Sequence, residues 1–137
     1  VTQDDKKAVT WYKKAADQGH ALAMINLALA YTQGKGIAKD EKEAALLWQK
    51  LADKGEAHGQ WALGTCYYNG QGVALDKRQA VTWFTKAATQ GHAAAQYNLG
   101  VCYAKGEGVV KDEKQAKVWL EKAAAQGMRE AERALRG

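Results

Sequence analysis

Residues 92–127 read HAAAQYNLGVCYAKGEGVVKDEKQAKVWLEKAAAQG, and residues 56–91 and 20–55 carry the same pattern in the same order. The period is 36 residues, without insertions. Gly19, Gly55, Gly91 and Gly127 share one repeat position. Asp4, Asp40, Asp76 and Asp112 share a second, Ala8, Ala44, Ala80 and Ala116 a third, and Tyr31, Tyr67 and Tyr103 a fourth. A fixed period of roughly 20–50 residues marks a solenoid of supersecondary units. Such a unit cannot bury its apolar face alone, so copies stack. Function is then sought along an extended surface.

Within residues 92–127, Ala95, Leu99, Cys102 and Tyr103 recur at helical spacing and define a first helix, A. Gly106-Glu107-Gly108 stops it, because glycine accepts the left-handed conformation that closes a helix. Val109 is an apolar turn residue expected to tuck under the stack. A phosphate-cradling loop is the rival reading of the Gly-x-Gly, but no strand precedes it. Asp112-x-x-Gln115 then opens a second helix, B, as a capping box, and Asp76-x-x-Gln79 and Asp40-x-x-Glu43 repeat it. Helix B sets Ala116, Trp119, Leu120, Ala123 and Ala124 on one face and Lys114, Lys117, Glu121 and Lys122 elsewhere, toward solvent. The pattern predicts about eight helices: A near 20–33, 57–69 and 93–105, B near 4–18, 40–54, 76–90 and 112–126, and a short one near 128–136. One solenoid domain over 1–137 would comprise a partial copy (1–19), full copies at 20–55, 56–91 and 92–127, and a capping segment at 128–137.

Gly64 and Gly100 sit in mid-helix A, where glycine costs about 1 kcal/mol relative to alanine. Close approach of helix B is the expected return. Trp11, Trp83 and Trp119 share one position, with Leu47 there and Trp48 one place on in the second copy, and these aromatics are expected to plug the core between A and B. Cys66 and Cys102 are also equivalent. Stacked helices lie about 8–10 Å apart, beyond the ~7 Å Cα separation of a disulfide, so two buried free thiols are expected.

Hydrophobic residues make up 47% of the chain and charged residues 26%, a globular balance. Proline is absent, which suits packed helices. Serine is absent too, which removes every serine-nucleophile mechanism. The net charge of +5 comes from interspersed charges of both signs and fits a salt-laced surface. No apolar stretch approaches the roughly 18 residues of a membrane span. The chain opens on Val1 with a copy that lacks its helix A, which points to a processed form or an excised piece.

The string Ala95-x-x-x-Leu99-Gly100-x-x-Tyr103-x-x-Gly106-x-Gly108-Val109-x-x-Asp112, followed by Ala116, Trp119, Lys122-Ala123-Ala124 and Gln126-Gly127, resembles the Sel-1-like repeat. Residues 56–91 match through Leu63-Gly64, Tyr67, Gly70-Gln71-Gly72-Val73, Asp76, Ala80, Trp83 and Lys86-Ala87-Ala88. Residues 20–55 match more loosely, with Ala28 and Leu51 as departures. The resemblance implies an all-α fold, a right-handed αα superhelix of antiparallel helix pairs related to tetratricopeptide arrays. It implies a bacterial adaptor or scaffold, periplasmic or secreted, with the cytoplasm as the alternative, that binds proteins and uses no cofactor. A cysteine-rich branch of the family is linked to penicillin binding. This chain has no paired cysteines within a repeat, which speaks against β-lactam binding.

Helix A has a second apolar stripe. Ile25, Leu29 and Thr32, then Trp61, Thr65 and Tyr68, then Tyr97, Val101 and Ala104 recur at i, i+4 and i+7, each set on one face. By analogy with tetratricopeptide arrays this face is concave. Two readings stay open: a groove for a protein or peptide segment with Trp61, Tyr68 and Tyr97 as anchors, or packing between copies. Asn26, Asn69, Asn98 and Gln96 lie nearby as candidate partners for a bound backbone. Nucleic acid is the other partner class, on the strength of Arg129, Arg133 and Arg136 along one face of the last helix. His20 and His92 are two repeats apart and His58 stands alone, so no metal site is expected. No catalytic set is expected either: serine is missing and no cysteine and histidine are paired in one repeat. The exposed face of the first helix is the expected self-contact of a monomer or weak associate.

Overall fold

In the computed structural model, which describes residues 3–137, the helices run as α1 (Gln3–Asp17), α2 (Ala21–Gln33), α3 (Glu41–Asp53), α4 (Ala57–Asn69), α5 (Lys77–Thr89), α6 (Ala93–Lys105), α7 (Glu113–Ala125) and α8 (Arg129–Arg136). No strand occurs among the described residues. The first two residues of the expected partial copy lie outside them. Each helix packs chiefly on the one before and the one after it in the chain, so helix pairs form a single row.

The ends of the helices follow from their caps. The Asp40 carboxylate accepts from the Glu43 N–H at 3.1 Å. Asp76 accepts from Arg78 and Gln79, and Asp112 from Lys114 and Gln115, all at 3.1 Å. Each satisfies orphan donors of the first turn, worth about 1 kcal/mol. At the other end, α2, α4 and α6 stop at Gly34, Gly70 and Gly106, whose φ values of 69°, 69° and 71° are left-handed. Their N–H groups return to the carbonyls of Ala30, Cys66 and Cys102.

The second glycine of each Gly-x-Gly has a different task. Gly36, Gly72 and Gly108 press against the backbone carbonyls of Asp5, Glu41 and Lys77, in the first turn of the preceding helix B. A Cβ at any of the three would overlap that carbonyl. The turn of one copy is thereby laid on the helix of the copy before it.

Between A and B of residues 56–91 and 92–127 the large side chain sits one residue later than expected: Phe84 and Leu120 are buried. In residues 20–55 Trp48 is buried as expected, with Leu47 beside it. A Cβ on Gly64 would stand 2.7 Å from Phe84 Cδ1, and one on Gly100 would stand 2.8 Å from Leu120 Cγ. The expectation that Trp11, Trp83 and Trp119 plug this core is therefore corrected. Trp11 is 70% exposed, and Trp83 and Trp119 are half-buried on the flank of the helix. Trp83 leans on the apolar cluster that runs from Val9 to Cys66 and Trp119 on the one from Ala80 to Cys102, and Lys86 and Lys122, one turn on, place their ammonium groups 4.5 and 4.7 Å from the ring centroids. The inward direction is set by the glycine opposite, and one residue is about 100° of helix. Cys66 and Cys102 are buried free thiols, each pushed up to about 11 by burial.

Two comparisons by thermal or denaturant melting check these assignments. Gly70→Ala should cost about 1–2 kcal/mol, the penalty for a left-handed residue with a Cβ. Gly72→Ala should cost more, because about 1–3 kcal/mol of overpacking against a backbone that cannot yield is added. Equal losses would mean that the second glycine serves conformation alone. Phe84→Ala should lose about 3–5 kcal/mol and Trp83→Ala clearly less. The reverse order would return the tryptophans to the core.

Candidate partner-binding face

The A helices α2, α4 and α6 present their second stripe on one side of the row. Leu29, Thr32 and Asn69 are exposed. Ile25, Trp61, Thr65, Tyr68, Tyr97, Val101 and Asn98 are half-buried, and none of the stripe is fully enclosed. Tyr97 leans on the cluster of Leu120, Ala123 and Ala131, so the stripe continues toward α8.

Trp61 is held on two sides. Its Nε1–H donates to Asn98 Oδ1 at 2.7 Å, across to the next copy. Its ring stacks on His92, with centroids 5.3 Å apart and planes 23° from parallel. His58 lies against both, 5.3 Å from Trp61 and 5.5 Å from His92, and also meets Trp48 edge-on at 5.8 Å. This corrects the expectation that His58 stands alone: His92 Nε2 lies 3.4 Å from His58 Nδ1. His92 is the N-cap of α6, and its Nδ1 accepts from the Ala95 N–H at 3.2 Å. The cap fixes the tautomer. Nδ1 of His92 must be free to accept, so Nε2 carries the proton and points it at His58. The signal was present in the sequence as a spacing two short of the period, which sets His58 inside the first turn of α4, opposite a cap.

A second cluster ties α4 to the turn of the next copy. The Tyr68 hydroxyl donates to Glu107 Oε1 at 2.6 Å, and Lys77 Nζ reaches Glu107 Oε2 at 2.7 Å. Lys77 also stands 4.8 Å from the centre of the Tyr68 ring. The bond to Glu107, with burial, pushes the Tyr68 phenol up to about 12. Lys77 and then Tyr68 hold Glu107 below the usual carboxylate range.

Gln96 is not available to a partner. It is buried, donates to the Ala88 carbonyl at 3.2 Å and accepts from Gln126 at 2.9 Å. Gln60 and Gln90 repeat the second bond at 2.8 Å. Arg129, Arg133 and Arg136 are exposed on α8, next to Glu130 and Glu132. Among the described residues no group of three or more His, Cys, Asp or Glu side chains is placed to hold a metal, and no helix is long and apolar enough to cross a membrane.

A row of antiparallel helix pairs with an apolar stripe along its A helices defines a helical-repeat solenoid. The chain belongs to the Sel1 repeat family, whose model matches residues 1–20, 21–56, 57–92 and 93–128. Proteins of this family are scaffolds of protein–protein interaction and typically not enzymes. The fold is similar to that of c5321, a protective antigen of uropathogenic Escherichia coli with an SLR fold, at 37% identity and a TM-score of 0.87 over 90% of this chain. A Sel1 repeat protein of Oxalobacter formigenes is 35% identical over 96% of this chain, with a TM-score of 0.87. The Helicobacter pylori cysteine-rich protein B is 29% identical, with a TM-score of 0.73, over 94% of this chain and 92% of its own. The chain spans 26% of the E. coli antigen and 54% of the Oxalobacter protein. No curated protein matches the chain significantly.

The histidine pair makes stability depend on pH. Burial, and then the neighbouring His58, hold the His92 imidazole below its ordinary value of 6.5, with Glu56 opposing. Above that value both folded and unfolded chains carry a neutral ring and the contribution is complete. As pH falls below it, the unfolded chain takes up a proton that the folded one resists, so stability declines toward the lowered folded value. Full protonation also removes the Nδ1 acceptor of the cap, worth about 1 kcal/mol. Denaturant melts at pH 7.5 and pH 5 should show this loss, and His92→Asn, which can still cap, should flatten it. An undiminished slope in the variant would assign the effect to other groups.

Proposed function

We propose that the chain is a non-enzymatic scaffold that binds a protein or peptide segment along the face of α2, α4 and α6. The observation that carries this reading is Trp61: a large aromatic, half-exposed in the middle of the stripe, whose polar edge and one face are already held by Asn98 and His92. A ring fixed in this way loses little freedom when a partner covers its remaining surface. Ile25, Leu29, Thr65, Tyr68, Tyr97, Val101, Asn69 and Asn98 complete the proposed contact surface. Aromatic anchors with few rotatable bonds suit such a role.

The polar groups near the face support binding over catalysis. His92 caps a helix, Glu107 is held by Tyr68 and Lys77, and both thiols stay protonated near neutral pH because burial raises them, whereas a nucleophilic cysteine needs a lowered value. The arginines of α8 share their helix with glutamates, which weakens the case for a phosphate backbone as the partner.

Peptides selected from a displayed library against the folded chain provide the test. Tyr97→Ala should weaken the selected peptides by about 2 kcal/mol or more, as a hot-spot truncation does. Val101→Glu should weaken them as well, with melting curves recorded for both variants. Affinity untouched by either change would place binding elsewhere. Affinity that falls steeply with salt and is competed by RNA would favour a nucleic acid.

A further inference from the structure

An apolar pocket of about 120 Å³ opens on the same face between residues 20–55 and 56–91. Leu29, Trp48, Trp61 and Cys66 form its walls, and Thr32, Glu41 and Gln71 also line it. One period later, Thr65, Phe84, Tyr97 and Cys102 stand where these walls stand, but Tyr68 replaces Thr32. There the chain fills the space itself. The Tyr68 ring lies 6.3 Å from Phe84, and its hydroxyl donates to Glu107. Thr32 has no ring to offer, and its hydroxyl turns back to the Ala28 carbonyl at 2.9 Å.

We infer that this pocket receives an aromatic side chain of the partner, by preference a tyrosine, in the place that Tyr68 occupies one repeat on. The inference rests on the proposed binding face and adds which side chain that face reads. The pocket is smaller than the closed apolar cavity of about 150 Å³ that holds a benzene ring, but it opens on the face, so a ring can enter with its polar end outside. Two indoles and a sulfur on the walls favour a ring over an aliphatic group. The polar end is matched as well. Glu107, which accepts from the Tyr68 hydroxyl, has Gln71 as its counterpart, and Lys77 has Glu41. Among the described residues the Glu41 carboxylate has a 3.7 Å ion pair with Lys39 as its one partner, so it can accept from a phenol hydroxyl at the mouth.

The probe is p-cresol, the tyrosine side chain without its backbone, titrated into the full chain and followed by amide and indole NMR shifts. Saturable shifts should centre on Leu29, Thr32, Thr65 and the Trp61 indole. Binding should be about tenfold tighter than for isopentanol, an alcohol that carries the isobutyl group of leucine, which is the preference a ring–ring contact gives. Thr32→Tyr should abolish these shifts and raise the melting temperature, by filling the pocket from within. Tyr68→Thr should open a twin pocket and add a second set of p-cresol shifts around Tyr97, Val101 and Cys102, which keeps the inference testable should Thr32→Tyr fail to fold. No saturation, equal binding of isopentanol, or a Thr32→Tyr chain that still binds p-cresol would overturn it. If p-cresol fails while selected peptides still lose affinity on Val101→Glu, the pocket is refuted and the binding face stands. If p-cresol binds and no peptide depends on Tyr97 or Val101, the pocket still takes a ring, but the binding face, and with it the partner's tyrosine, is refuted.

Discussion

The stack depends on a glycine Cα lying against a backbone carbonyl. Gly36 on Asp5, Gly72 on Glu41 and Gly108 on Lys77 are the same contact made three times, the turn of one copy against the first helix-B turn of the copy before. No side chain intervenes, so the separation of copies is set by backbone atoms, which vary little. Side chains on the helix faces are then free to differ from copy to copy without changing the rise of the row. A strict period of 36 follows, because an insertion between the glycine and its carbonyl would put them out of register. The left-handed φ of these glycines adds to the demand but does not create it.

A second set of bonds works in the same direction. The Gly55 and Gly91 carbonyls accept from Gln90 and Gln126 at 3.0 and 2.8 Å, and each glutamine also reaches the glutamine side chain of the helix A between, Gln60 or Gln96. In the first copy both partners differ. Lys54 reaches the Gly19 carbonyl at 3.5 Å, and Met24 takes the place of the buried glutamine. The two replacements are consistent. A buried amide needs a matched partner, and where the partner is a lysine with no acceptor, an apolar methionine carries no unsatisfied group.

Much of this was legible in the sequence, for physical reasons. Periodicity, aspartate caps and glycine stops are local, and each fixes a helix end within a residue of where it lies. Facing directions were harder. Trp83 is larger than any neighbour and invites assignment to the core, yet Gly64 opposite accommodates Phe84, one residue later. The two glycines of Gly106-Glu107-Gly108 look alike in sequence, and only the carbonyl of Lys77 separates their tasks. His58 and His92 occupy different repeat positions, so a comparison of like with like passes over their meeting. Gln96 adjoins Tyr97 in sequence, but successive residues of a helix point about 100° apart, and its amide is turned into the packing between copies.

Contacts that recur in every copy serve the stack, since stacking makes the same demand of each. The aspartate caps, the glycine–carbonyl contacts and the carbonyls of Gly19, Gly55 and Gly91 are of this kind. The aromatic face is not. Trp61 meets His58 and His92 in the middle of the row, while its counterparts Ile25 and Tyr97 have no such pair of imidazoles. Tyr68 with Glu107 and Lys77 has Thr32 with Gln71 and Glu41 as its counterpart. Stacking cannot require these groups, because the adjoining copies stack without them. A partner that lies across several copies at once meets a different surface on each, and the differences are what give it a single register along an otherwise repeating track. The proposed binding face therefore coincides with a part of the molecule where the internal symmetry is broken.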